Sequence, residues 1–343
     1  MLNLNLFEHR ALRLSLLSAL LLCGASTIAH ARLTDLPSPE IDTVESRYQA
    51  GEYQALLGLI DADAPANLMA FRLKSLIKLE REDEAEDELT AWLTANAMAS
   101  TSARAQGLKM AGDIYANMAM GASVFSAPGL ASKSLESYQA AQQLAPKDMD
   151  IAKALFGFYL HAPGIVGGDE NKARQVALNI AAISPLEGQL ALLDVALKQE
   201  DNKTFDAQLA EARKAFRTDR QLSLRHSVRM GDDHEKAAAV LSEAIGWGKQ
   251  PDEDAELDPQ LRYQLLKHAV KGGVYLKEAS EGMEPLFANL PDKYRPWAQL
   301  RRAQLLALMG DKTSARTWLD SAAQIAPDDK AFSKEVKALK KQL

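Results

Sequence analysis

Residues 302–316 read RAQLLALMGDKTSAR, and this stretch decides the fold. Its apolar residues recur at helical spacing up to Met309, and Gly310-Asp311 then breaks the helix. A second helix follows, carrying Ala315, Leu319 and Ala322, and stops at Pro327. Proline cannot donate to a helix ladder, so it is a natural terminator. Small side chains at Ala303, Ala315 and Ala322 let the two helices touch. Leu319 fills the groove beside them.

Working outward, the same pattern recurs with falling fidelity. Gly112 and Tyr115 fall within the first helix of another unit, whose second helix offers Tyr138, Ala141 and Pro146. Gly157 and Leu160 precede Ala173, Ala177, Ile180 and Pro185. Ala237, Leu241 and Ala244 mark a further second helix, and Ala85, Leu89 and Trp92 an early one. Gly51-Glu52-Tyr53 reads as an inter-helix turn. Residues 186–217 and 258–290 have the right length and periodicity but poor motif agreement. Residues 329–342 place Ala331, Phe332, Val336 and Leu339 on one face and predict a docked terminal helix. Strand signals are scarce, so the chain is expected to be all-α.

This pattern resembles the tetratricopeptide repeat (TPR), a helical hairpin of 34 residues. The resemblance implies a TPR-like superhelical solenoid of about eight helical hairpins plus a C-terminal capping helix. Eight such units need roughly 272 residues. Two insertions and a terminal helix bring that near the length available, so residues 32–343 are expected to form one array.

The chain has 343 residues, 47% hydrophobic, 6% aromatic and 25% charged, with one cysteine. That excludes collagen-like, low-complexity and disulfide-stapled classes. A net charge of −6 argues against a nucleic-acid partner, which would need a basic patch. Residues 1–31 read as a signal peptide. Arg10 and Arg13 are followed by an apolar run from Leu14 to Ile28, and Ala29-His30-Ala31 offers a small-x-small cleavage site. The run is too short to span a bilayer. The expected location is therefore periplasmic, with Cys23 discarded and no membrane span in the mature chain.

Two units depart from the repeat between their helices. Gly112 and Ser134 are 22 residues apart instead of 12, which puts an insertion near 117–130. Gly157 and Ala173 are 16 apart, which puts a shorter one at 161–169. In a stack of hairpins, both lie on one edge. Their chemistry is apolar: Met118, Met120, Val124, Phe125, Leu130, Ile165 and Val166. Such residues either bury each other as a private mini-core or form a docking ridge. These inserts, with Phe158-Tyr159-Leu160 ahead of the Gly164–Gly168 turn, resemble a group of bacterial exported TPR proteins. That likeness implies architecture and export, and no particular chemistry.

No catalytic constellation is legible. GxxxxGK[ST], HExxH and GxSxG are absent, and no cysteine follows Cys23. Asp169 stands where a helix N-cap belongs, so the Gly164–Gly168 turn reads as structural rather than as a phosphate cradle. The Asp232-Asp233-His234-Glu235 run reads as a helix start rather than a metal site. No enzyme, cofactor or metal is therefore expected. TPR arrays bind peptides or partner helices along the inner face of their first helices. By position, the groove candidates are Gln106, Lys109, Asp113, Asn117, Phe158, His161, His226, Arg229, Trp297 and Gln304, with Ala154 and Met230 beside them. The insert-edge candidates are Met120, Phe125, Ile165 and Val166. The expected function is a periplasmic adaptor that binds another envelope protein or peptide segment. The alternative is a module for a small ligand or envelope polymer.

Overall fold

The computed structural model describes residues 38–250, 253–290, 294–325 and 329–343. The signal-peptide reading, Cys23 and Pro327 lie outside the described residues. Among those described, the ordered elements are helices, and no strand occurs. The all-α expectation is met. The chain divides into two compact units, with the boundary in sequence between Gln199 and Glu200.

The first unit holds α1 (Ser38–Gln49), α2 (Tyr53–Leu59), α3 (Ala66–Lys78), α4 (Glu82–Ala95), α5 (Thr101–Gly121), α6 (Ala127–Leu144), α7 (Met149–His161), α8 (Glu170–Ile183) and α9 (Pro185–Lys198). Consecutive helices pack as hairpins, most extensively α5 on α6. Small residues set the approach. A Cβ built on Gly112 would stand 2.4 Å from the Tyr138 ring, so only glycine fits there. The Ser134 hydroxyl donates 2.8 Å to the Gly112 carbonyl across the same contact. Gly188 on α9 meets Ala181 on α8 in the same way, within the 186–217 stretch whose motif agreement was poor.

The second unit holds α10 (Asn202–Ala215), α11 (Arg220–Met230), α12 (His234–Gly246), α13 (Leu257–Gly272), α14 (Leu276–Glu281), α15 (Met283–Asn289), α16 (Arg295–Leu308), α17 (Lys312–Gln324) and α18 (Lys330–Lys340). Ala303, Ala315, Leu319 and Ala322 are all buried where α16 meets α17, as the opening stretch predicts. Helix α18 docks through Phe332 and Leu339, so the terminal-helix expectation holds. Aspartate caps recur at helix starts. Asp148, Asp169, Asp201, Asp219, Asp233, Asp311 and Asp329 each accept from backbone amides of the first turn.

The longer insertion does not make a loop. It extends both helices, so α5 reaches 21 residues and α6 reaches 18, joined by a short turn at 122–126. The shorter one forms a single 3₁₀ turn, Gly164–Val166, which packs on α6.

Candidate functional site

The candidate residues fall into three local settings. The first is the polar face of α5. Gln106, Lys109, Asp113 and Asn117 recur at three- and four-residue steps, so they share one helix face. Most of this face is internally paired. Lys109 Nζ lies 2.7 Å from Asp113, whose other oxygen accepts from the Tyr138 hydroxyl at 2.8 Å. Gln106 donates to Asp148 at 2.8 Å, and so ties α5 to the start of α7. Lys74 on α3 joins this group electrostatically. Burial pushes its ammonium below the usual lysine range against the pull of Asp113, and Lys109 adds repulsion. Asn117 and Met120 are half-buried further along α5.

Helix α7 contributes less surface than the spacing suggested. Phe158 is 2% exposed and Ala154 is buried, so both are packing residues. The Phe158 ring sits edge-on to Tyr138 and Tyr159, with centroids 6.3 and 6.4 Å away. Burial pulls the His161 imidazole down to about 4, although the nearby Asp194 carboxylate opposes the shift.

The second setting is the insert edge. Leu130 and Val166 pack inward onto the core of α6, α7 and α8, and Met118 is buried. Val124, Phe125 and Ile165 point outward, at 77%, 92% and 90% exposure. Part of each insert is therefore buried, and Val124, Phe125 and Ile165 are exposed. The backbone beneath is fixed. Asp169 N–H donates 2.8 Å to the Tyr159 carbonyl. A Cβ on Gly168 would lie 1.8 Å from the Ala162 carbonyl oxygen, so only glycine closes this turn. The side chain of Asp169 caps α8 through the amides of Asn171 and Lys172.

The region carries almost no charge. Between Asp113 and Lys133 there is none, and between Lys153 and Asp169 only His161 ionises. The lysines that flank it are engaged. Lys133 pairs with Glu86, and Lys172 stands 5.5 Å over the Tyr159 ring.

The third setting lies in the second unit. Trp297 is 8% exposed and packs edge-on to Phe332 of α18, 5.1 Å between centroids. Gln304 donates to Glu335 at 2.8 Å. Beside it, the buried Arg301 guanidinium bridges to the same carboxylate and stacks over Trp297 at 5.1 Å. Burial alone would raise the Glu335 carboxyl, but the Arg301 hydrogen bonds and charge outweigh it and hold it low. Helix α18 therefore covers the face of α16 that holds Trp297 and Gln304. On α11, Arg229 pairs with Asp206 at 3.1 Å. His226 and Met230 are half-buried, and burial, aided by Arg213, lowers the His226 imidazole.

Sequence reading missed several partners. Tyr138, Asp148 and Glu335 satisfy the candidates from helices remote in sequence. Arg220 is fully buried between Glu253 (2.7 Å) and Asp258. Only the N-cap position of Asp148 carried a local signal. A cavity of about 260 Å³ lies near that last pair, lined by Lys249, Asp258, Pro259 and Arg262 among others. Among the described residues no group of three or more potential ligands could hold a metal ion, and no helix is long and apolar enough to cross a membrane.

The fold these features define is an all-α, TPR-like arrangement of helical hairpins. Solved structures agree at that level. The chain is similar to the yeast Tom70 structure, with a TM-score of 0.55, 12% identity, and coverage of 90% of this chain and 61% of that one. It is also similar to the APC/C hetero-tetramer Cut9–Hcn1, with a TM-score of 0.51, 13% identity, and coverage of 88% and 54%. The chain thus spans less than two thirds of either relative. No protein-family model matches it, and no curated protein matches its sequence.

Proposed function

We propose that this protein is an exported, periplasmic TPR-type adaptor that holds another protein at the edge formed by its two insertions. The observation that carries this reading is the bare layer of Val124, Phe125 and Ile165 on a fixed backbone. Large apolar side chains held in water gain by burial, roughly 25 cal/mol for each Å² covered. The other candidate faces have less to offer. The α5 face satisfies much of its polarity internally, and α18 covers the α16 face. The continuous array over residues 32–343 and the export signal at 1–31 belong to the same proposal. The small-ligand alternative draws less support, because the cavity beside Asp258 has none of the candidate residues in its lining.

The test is site-specific photo-cross-linking in envelope extracts. A photoreactive side chain at position 125 or 165 should give one discrete protein adduct. The same group at Met98, which is 97% exposed but isolated on another turn, should not. Adducts at Asn117 with none at 125 and 165 would move the site to the groove. Adducts at none of these positions would sink the adaptor reading. Terminal sequencing of exported protein should begin at Arg32, and an uncleaved cytosolic product would refute the location.

A further inference from the structure

Two imidazoles in the second unit face each other with no role in the proposed docking. His234 opens α12, and His268 is buried one turn before the end of α13. Their Nδ1 atoms are 3.1 Å apart, a hydrogen-bond distance. The ring centroids are 5.3 Å apart. The difference between these distances is about twice the length from an imidazole centroid to its own nitrogen. The rings therefore stand end to end, with the two nitrogens aimed at each other. That alignment suits one shared proton. It does not suit chelation, in which both lone pairs must converge on a third point. The contact joins two helices 34 positions apart in sequence, and it is tight. A Cβ on Gly272 of α13 would come within 2.8 Å of the His234 Cβ.

We propose that His234 and His268 form a proton-counting latch between α12 and α13, closed while one proton lies between the facing nitrogens and opened by acidification. With both rings neutral, one Nδ1–H donates to the other Nδ1. One added proton goes to a distal ring nitrogen and leaves that hydrogen bond in place. A second added proton puts a donor on both facing nitrogens, so the bond is lost and two like charges stand at contact.

The surroundings set where this happens. Burial lowers both rings, His268 to about 4, and each is further depressed by the ammoniums of Lys267 and Lys271. Asp232 opposes the shift in both rings and Asp233 in His234. On the neighbouring elements, Arg229 of α11 pairs with Asp206, Lys277 and Glu281 of α14 stand 3.8 Å apart, Glu284 of α15 acts on Arg302 of α16, and Glu335 of α18 pairs with Arg301 and feels Lys271. The sign follows from linkage. Imidazoles whose folded values lie below their unfolded value near 6.5 contribute stability in full above that value, and lose it as pH falls toward 4.

The experiment is an NMR titration of the full chain's histidine side chains, paired with amide hydrogen exchange. His234 is the more accessible partner, so His234→Gln leaves the buried ring in place. In the wild type, both imidazoles should titrate below 6.5 in coupled steps. In His234→Gln, His268 should titrate about half a unit or more higher, a roughly threefold change in its proton affinity. Amides of α12 and α13 should exchange about tenfold faster at pH 4 than at pH 7 after correction for intrinsic rates, and this acceleration should shrink in the variant. Independent titration of the two rings, or equal acid acceleration in wild type and variant, would overturn the latch.

Discussion

Two hairpins of this protein obey the same packing rule and end differently. In α16–α17, the turn is the three-residue break Met309-Gly310-Asp311, and the Asp311 side chain caps the next helix at the Ser314 amide. In α5–α6, the small-residue contact is intact at Gly112 and Ser134, but each helix runs on well past it. Turn length and helix–helix contact are therefore separate variables. The contact is fixed by a few small side chains, whereas the extra residues are free to carry something else. What they carry also differs. The polar face of α16 is covered by α18, while the far end of α5–α6 presents bare Val124 and Phe125.

The covered face is the place to break the comparison most severely. Arg301→Leu leaves the Glu335 carboxylate half-buried without its cation. Breaking a buried pair from one side costs about 3 kcal/mol. Denaturant unfolding of the full chain should show this loss, and Glu335→Gln should cost at least as much, because it takes the carboxylate from Arg301, the more deeply buried member of the pair. Equal, small losses in both variants would mean that α18 is held by Phe332 and Leu339 alone.

Next in size is the shared contact. Gly112→Ala puts a methyl into the Tyr138 ring and should cost about 2 kcal/mol, in the range of overpacked cores. Ser134→Ala removes one buried hydrogen bond to the Gly112 carbonyl and should cost about 1 kcal/mol. A neutral Gly112→Ala would show that the α5–α6 approach is looser than that of α16–α17. The two hairpins would then not share one rule.

The legibility of each hairpin follows from the same separation. Ala303, Ala315, Leu319 and Ala322 lie at fixed local offsets, so the α16–α17 hairpin could be read directly. Gly112 and Ser134 were readable because small residues stayed in place, and the excess between them marked the insertion. The helical state of that insertion was not readable. Residues 117–121 continue α5 because nothing in Asn117-Met118-Ala119-Met120 ends a helix. The candidate faces were legible only as positions. Phe158 and Trp297 have the correct spacing, yet they are covered by neighbours (Tyr138 and Tyr159 in one case, Phe332 in the other) that no local pattern reveals. Partners such as Asp148 and Glu335 are tertiary facts.

A pH profile sharpens the contrast within the first unit. The α5 face is built from a paired Lys109 and Asp113, whereas His161 on α7 is half-buried and its imidazole is pulled down by desolvation. Its folded value near 4 lies below the ordinary 6.5, so its contribution is complete above about 6.5 and disappears as pH falls to 4. After allowance for the solvent reaching this half-buried ring, His161→Gln should remove about 1–2 kcal/mol of the wild type's acid sensitivity. Thermal unfolding of both proteins between pH 4 and 7 measures it. Parallel profiles would place the acid sensitivity elsewhere.

The smallest effect on stability tests the functional half of the comparison. Phe125→Ser with Ile165→Ser trims side chains that are already in water, so the unfolding free energy should move by no more than about 0.5 kcal/mol. The same pair should abolish the adduct formed by a photoreactive group placed at Val124. A docking anchor loses its burial energy on truncation even when the free protein does not notice. A buried mini-core gives the reverse pattern, since Val166→Ser or Leu130→Ser would cost stability while the surface contact stays. If the double variant destabilises the chain by more than 1 kcal/mol and leaves the adduct intact, these side chains serve the fold and the docking proposal fails at this edge.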